Sequence, residues 1–301
     1  MKHHAILLLS TLAAIPSAAA PAAAKPAAAA PAFASQRISV EVKGSGPDVI
    51  LIPGLSSSPR VWDSTVAALP GYRYHLVHVA GFAGKAPGAN ASGEVVAPVA
   101  EEIARYIREA KLKRPAIIGH SLGGTLAMMV ASKHPQLASK VMVLDMVPFM
   151  AALFGGPGAT PETVRPIAEQ MRAGIAGGTG EARKAMAAQT IAGMVRTESL
   201  RPAAVAHSLD SDAKVSARAM YELILLDQRP ALKSIKVPMQ VLWVRAPSAP
   251  ITDEQMAQFY KLSYANVPQA KLTQVPNSYH FIMWDAPEAF QREVKAFLSA
   301  K

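Results

Sequence analysis

Residues 119–123 read Gly119-His120-Ser121-Leu122-Gly123, a G-x-S-x-G pentapeptide. Before it lies a short apolar, β-prone run, Ala116-Ile117-Ile118; after it lies a helix-forming run from Leu122 to Ala131. That setting constrains the fold more than the five letters do. A serine on so sharp a strand-to-helix turn is held in a strained backbone conformation, with its Oγ pushed out of the sheet. Glycines flank it because a Cβ there would collide with neighbouring backbone.

The rest of the chain from Arg37 onward alternates strand and helix patterns. Ile38 to Val42 alternates apolar and polar, as an antiparallel edge strand does. Val49 to Ile52 is continuously apolar, like a strand buried on both faces. Pro59 to Leu69 reads as a helix and His75 to Val79 as a strand. Glu94 to Glu109 reads as a helix, with Val95, Val99, Ile103 and Ile107 spaced by four. Strands are expected at Val141–Leu144, Val237–Val244 and Ala270–Val275, and a closing helix at Pro287–Leu298. This alternation implies an α/β fold with a mostly parallel sheet covered by helices. One stretch, residues 149–216, has no strand pattern. It reads as a helical insert over the carboxyl edge of the sheet, where open α/β folds bind ligands.

The first 35 residues follow a different logic. A short positive start, Met1-Lys2-His3-His4, precedes an apolar run from Ala5 to Ile15 that is too short to span a bilayer. Pro16 breaks the run, and Ser17-Ala18-Ala19-Ala20 supplies small residues for cleavage. Residues 1–20 are therefore expected to be a signal peptide. The protein is expected to be exported, periplasmic or secreted, with no stable membrane span after cleavage. Residues 21–35, nearly all Ala and Pro, are expected to form an extended tether. Residues 36–301 would be the folded domain.

The chain has no cysteine, which excludes disulfides, thiolate metal sites and a cysteine nucleophile. Its net charge is +10, but the 31 Lys and Arg are scattered, without a long basic run or interleaved aromatics. A nucleic-acid partner is not expected on that pattern; a small-molecule substrate is.

A serine hydroxyl needs a base within hydrogen-bond reach, and the base needs an orienting acid. His280 lies where a loop leaves the last strand, just before a helix, so it can face Ser121. Other histidines fit less well. His75 and His78 point to opposite faces of a strand, the wrong arrangement for shared metal ligation. His207 with Asp210 and Asp212 reads as a polar helix face, and no metal site is expected. Met142 and Met146 read as core or pocket wall. Phe149, Met150 and Phe154 are expected to line an apolar acyl or alcohol site.

Three segments carry a resemblance to a known family: Leu51-Ile52-Pro53-Gly54-Leu55, Gly119 to Gly124, and Ser278 to Phe290. On these, residues 36–300 resemble the α/β-hydrolase superfamily. The resemblance implies the α/β-hydrolase fold with a helical cap and a serine hydrolase that needs no cofactor. It also implies that the backbone N–H groups of Leu55 and Leu122 form the oxyanion hole. In many members the triad acid follows the next-to-last strand, but Ala249 stands at that place here. Two substitutes remain. Asp145 ends the strand after the nucleophile's helix. Asp253 is the second choice, because Thr252-Asp253-Glu254-Gln255 reads as a capping box. The expected activity is hydrolysis of a carboxylic ester of a small, mainly apolar substrate by Ser121, His280 and Asp145. The alternatives are a lactonase, a carbon–carbon bond hydrolase, an aminopeptidase or a non-catalytic ligand-binding member. Serine rather than aspartate at position 121 argues against a dehalogenase-like displacement.

Overall fold

The structure, a computed structural model, describes Met1 and residues 33–156, 158–245 and 249–300. The expected signal peptide, past Met1, and residues 21–32 of the expected tether lie outside the described residues. The chain divides into residues 1–32 and a unit beginning at Phe33, and the second unit carries the sheet.

β1 (Ile38–Gly44) and β2 (Asp48–Ile52) come first. The segment expected to be one helix splits into a 3-10 turn, Pro59–Trp62, and α1 (Asp63–Ala68). Trp62, at the junction, is fully buried, with its ring centroid 6.2 Å from that of Phe290. β3 (Arg73–Val79), α2 (Val96–Glu109), β4 (Ala116–His120), α3 (Leu122–Lys133) and β5 (Lys140–Leu144) follow. The insert then contributes α4 (Ala152–Gly155), α5 (Pro161–Gly177), α6 (Gly180–Met194), α7 (Arg201–Leu209) and α8 (Ala213–Leu225). β6 (Met239–Trp243), α9 (Asp253–Ser263), β7 (Ala270–Gln274), α10 (Ile282–Asp285) and α11 (Pro287–Ser299) complete the fold. No helix among the described residues is long and apolar enough to cross a membrane.

The described strands form one sheet in the order β1-β3-β2-β4-β5-β6-β7. β1 runs antiparallel to β3, and every other pair is parallel. Both faces are covered, which is why the inner strands are continuously apolar. In β2, Ile50 and Ile52 pack on one side with α2 and α3, while Val49 and Leu51 pack on the other with Trp62 and α11. The connection leaving β2 goes to β3 on one side, whereas the connection leaving β4 goes to β5 on the other. Such a reversal opens a crevice at the carboxyl ends of the two strands, the usual ligand position in this class of sheet. Gly54-Leu55 and Ser121-Leu122 occupy those two ends.

α8, which runs through residue 216 to Leu225, serves two packing layers. Val215, Ala219 and Leu223 belong to the main core, while Ile224 packs in a small separate cluster with Phe149 and Val164. Glu222 of α8 accepts hydrogen bonds from the amides of Val95 and Val96, at 2.7–3.1 Å, and so caps the start of α2. α5 and α6 are held more lightly. Val164 and Ala168 are the buried residues of α5, and Ala187 and Ile191 those of α6.

Candidate active site

Ser121 joins β4 to α3 at φ 55° and ψ −122°. A non-glycine residue there carries strain of about 1–3 kcal/mol and persists only where its surroundings over-determine it. Here they do. The Ser121 amide donates to the Leu144 carbonyl at 2.9 Å, and its own carbonyl accepts from the Gly124 amide at 2.8 Å. The flanking glycines are sterically required. A Cβ on Gly119 would come within 2.1 Å of the Gly123 carbonyl oxygen, and one on Gly123 within 2.2 Å of the Ile52 oxygen.

The loop after β2 lies directly against this turn. A Cβ on Gly54 would sit 3.1 Å from both the Ser121 Cβ and the His120 Nδ1. The next residue is Leu55, and the amides of Leu55 and Leu122 donate to no other described residue. Two N–H groups unengaged among the described residues therefore stand after the carboxyl ends of β2 and β4.

His280 and Asp145 meet each other, and Asp145 follows Leu144, whose carbonyl takes the Ser121 amide. The His280 Nδ1 lies 2.7 Å from the Asp145 Oδ2. A carboxylate only accepts, so Nδ1 carries a proton, and in a neutral ring Nε2 then keeps its lone pair. Asp145 also departs from ordinary geometry, with φ 46° at the end of β5. Its amide donates to the Leu242 carbonyl at 2.7 Å. Its other oxygen, Oδ1, accepts from the Val244 amide at 3.2 Å and from the Tyr260 hydroxyl at 3.1 Å. Both carboxylate oxygens are thus fixed, which sets the direction of the imidazole. The Ser121 hydroxyl makes no hydrogen bond to a described residue, and Ser121 is 9% exposed.

His120, in the variable slot of the pentapeptide, is 1% exposed. Its Nε2 lies 3.0 Å from the His280 carbonyl oxygen, and its ring packs 4.6 Å from the His280 ring and 4.8 Å from that of Phe281. Burial, reinforced by the neighbouring His280, pushes its pKa well below the ordinary histidine value.

The second carboxylate considered from sequence is turned elsewhere. Asp253 begins α9, half exposed, with its Oδ1 2.6 Å from the Arg245 Nε; Thr252 and Gln255 form the expected capping box. The three apolar residues expected to line a substrate site are spread apart in environment. Phe149 is 1% exposed, under the Arg229 guanidinium, while Phe154 on α4 is 46% exposed. Met150 is half-buried and packs against both the main core and the Phe149 cluster.

Two contributors were not singled out in the sequence. Tyr260 supports Asp145, and its partner Tyr264, stacked at 6.5 Å, donates to the Met146 carbonyl at 2.7 Å. Their i,i+4 spacing, from α9 to the residue that caps its end, was the available signal. Asp285 accepts from the Arg196 and Thr197 amides of the insert and from the Tyr279 amide, at 2.8–3.0 Å. It bolts the insert to the loop that carries His280, and nothing local in the sequence marks that long-range contact.

Residues 49–293 match the profile of the Alpha/beta hydrolase family, and the chain belongs to that family. Among characterised relatives, it is 34% identical over 138 residues to a pimeloyl-[acyl-carrier protein] methyl ester esterase of Aeromonas hydrophila. That match covers 46% of this chain and 52% of the relative. A second such esterase, from Vibrio vulnificus, is 31% identical over 132 residues, 44% of this chain and 49% of the relative. The chain thus spans about half the length of these relatives. Among solved structures, an esterase from Exiguobacterium antarcticum superposes with a TM-score of 0.72 at 22% identity, covering 88% of this chain and 98% of the other. The enol-lactonase of Burkholderia xenovorans LB400 superposes at 0.67 with 18% identity, covering 87% and 96%. Likeness at these identities speaks to the fold.

Proposed function

We propose that the protein hydrolyses a carboxylic ester of a small, mainly apolar substrate through an acyl-enzyme on Ser121. The observation that carries this reading is the 2.7 Å bond from His280 Nδ1 to Asp145 Oδ2, together with a serine on a positive-φ turn whose amide bonds the Leu144 carbonyl just before Asp145. The partial similarity to methyl ester esterases supports the same bond type.

The chemistry runs through this chain's own groups. As the Ser121 Oγ bonds to the ester carbonyl carbon, its proton passes to the His280 Nε2. Serine–histidine contacts commonly tighten only once substrate is bound. The carbonyl oxygen becomes an oxyanion and takes the N–H groups of Leu55 and Leu122. Each such donor is worth about 10²–10³ in rate. Collapse breaks the bond to the alcohol oxygen, which leaves with the proton held on His280. Water then attacks the acyl-enzyme, again giving its proton to His280. The acid departs and Ser121 is restored. Asp145 holds the imidazole in the required tautomer throughout and steadies the imidazolium. A lactone is a cyclic ester and would meet the same groups.

A fluorophosphonate probe followed by p-nitrophenyl esters of graded acyl length tests this. Labelling and turnover in the wild type, both lost in Ser121→Ala, support the proposal. A folded wild type that takes no label and cleaves none of the esters contradicts it.

A further inference from the structure

We propose that His120 is a positioning residue for the reaction, tying the main chain of His280 to the strand that carries the nucleophile. The inference rests on the serine-hydrolase reading above and deepens it.

The hydrogen bond fixes the state of the ring. The His280 carbonyl can only accept, so the His120 Nε2 is the donor. A neutral imidazole has one N–H, which leaves the Nδ1 as a bare acceptor. That atom is buried without a partner among the described residues and faces Gly54. A doubly protonated ring would leave a buried charge and an unmatched N–H there, so the environment selects the neutral form.

The placement has a mechanical consequence. His280 lies in the loop after β7, whereas Ser121 ends β4, and β5 and β6 stand between those strands. Register carried through the sheet would pass through two intervening strands. His120 bypasses them with one bond from the residue adjacent to the nucleophile. Its ring also fills the space between Gly54, His280 and Phe281. The Asp145 bond orients the far side of the imidazole, and the His120 bond holds the backbone from which that imidazole hangs. The two together define where Nε2 sits relative to Ser121. A simple packing role is the competing account, and phenylalanine would satisfy it.

The test uses the full chain as wild type, His120→Phe and His120→Gln. Phenylalanine keeps the ring volume and removes the donor; glutamine can present an N–H near the Nε2 position. Misplacement by about 1 Å can cost roughly 10²-fold in rate, so kcat in His120→Phe should fall about 10- to 100-fold. KM should stay within about twofold, since uniform binding is untouched. Glutamine should recover most of the loss. The proton NMR signal of the His280 Nδ1–H should shift in His120→Phe and return toward its wild-type position in His120→Gln. Wild-type kcat in His120→Phe would overturn the proposal, as would an equal loss in a folded His120→Gln. If phenylalanine prevents folding, His120→Asn, too short to reach the carbonyl, takes its place. If the wild type cleaves no ester and takes no fluorophosphonate label, the hydrolase reading has failed. The NMR signal then decides the His120 contact by itself: no shift in His120→Phe overturns it.

Discussion

The His280 Nδ1 meets the Asp145 Oδ2 at 2.7 Å across 135 residues of chain. Asp145 reaches it from the end of β5, not from the loop after β6, and does so from a left-handed backbone conformation. Both of its oxygens are engaged, so the carboxylate has one orientation to offer the imidazole.

This relationship predicts a sharp asymmetry between two aspartates. Asp145→Asn should lower kcat by about 10⁴-fold with the fold retained, because an amide at that place favours the wrong imidazole tautomer. Asp253→Asn should change kcat by less than about threefold, since its partner is the surface Arg245 and exposed pairs are worth roughly 1 kcal/mol or less. Steady-state kinetics on both variants, with circular dichroism as the folding control, checks this. The opposite pattern would reassign the acid.

Glycine at the turn separates stability from activity. Gly123→Ala places a Cβ about 2.2 Å from the Ile52 oxygen, which no side-chain movement relieves. It should cost at least about 1–3 kcal/mol of stability. Gly54→Ala meets Ser121 and His120 at 3.1 Å, a contact that a few tenths of an ångström of movement relieves. That movement is at the reacting centre, so kcat should fall by about tenfold or more while the melting temperature changes little. Thermal denaturation alongside kinetics distinguishes the two.

Asp285 should control how firmly the insert is seated. Asp285→Ala removes the acceptor shared by the Arg196, Thr197 and Tyr279 amides. Hydrogen bonds to a charged group contribute about 1.5–3 kcal/mol each. Hydrogen exchange should therefore quicken at these amides well before it quickens in the sheet. Uniform protection in wild type and variant would show that the insert is held by other contacts.

Acid should destabilise the fold through its buried histidines. In His120, burial first and the neighbouring His280 second lower the pKa; in His75, burial lowers it against the opposing pull of Asp48. As pH falls below about 6.5, the unfolded chain binds these protons first, so stability is present above that pH and is lost on acidification. Each such histidine contributes a slope of up to about 1.4 kcal/mol per pH unit. Denaturant unfolding between pH 7 and 5 should show the decline, with a shallower slope in His120→Phe. A flat profile would contradict it.

Much of this was legible in the sequence because it is locally encoded. Gly119 and Gly123 bracket a turn whose steric needs depend on adjacent residues, and strands buried on both faces read as unbroken apolar runs. The capping box at Thr252 likewise depends on four neighbouring residues. The capping box also accounts for Asp253 locally, whereas the contact of Asp145 with His280 is a matter of tertiary geometry. What stayed hidden was long-range: Tyr260 reaching Asp145, Asp285 joining the insert to the His280 loop, and α8 packing in two layers. The burial of Phe149 under Arg229 was equally invisible, because an apolar residue after a strand fits a pocket wall and a core with the same pattern.

The central claim is that Ser121 carries the acyl group. Intact-mass analysis and peptide mapping of the protein quenched during turnover of a slowly hydrolysed p-nitrophenyl ester test it most directly. The account predicts one acyl adduct, on Ser121, absent in Ser121→Ala and hydrolysed over time in the wild type. Turnover that proceeds unchanged in Ser121→Ala, or an adduct on another residue, would contradict it.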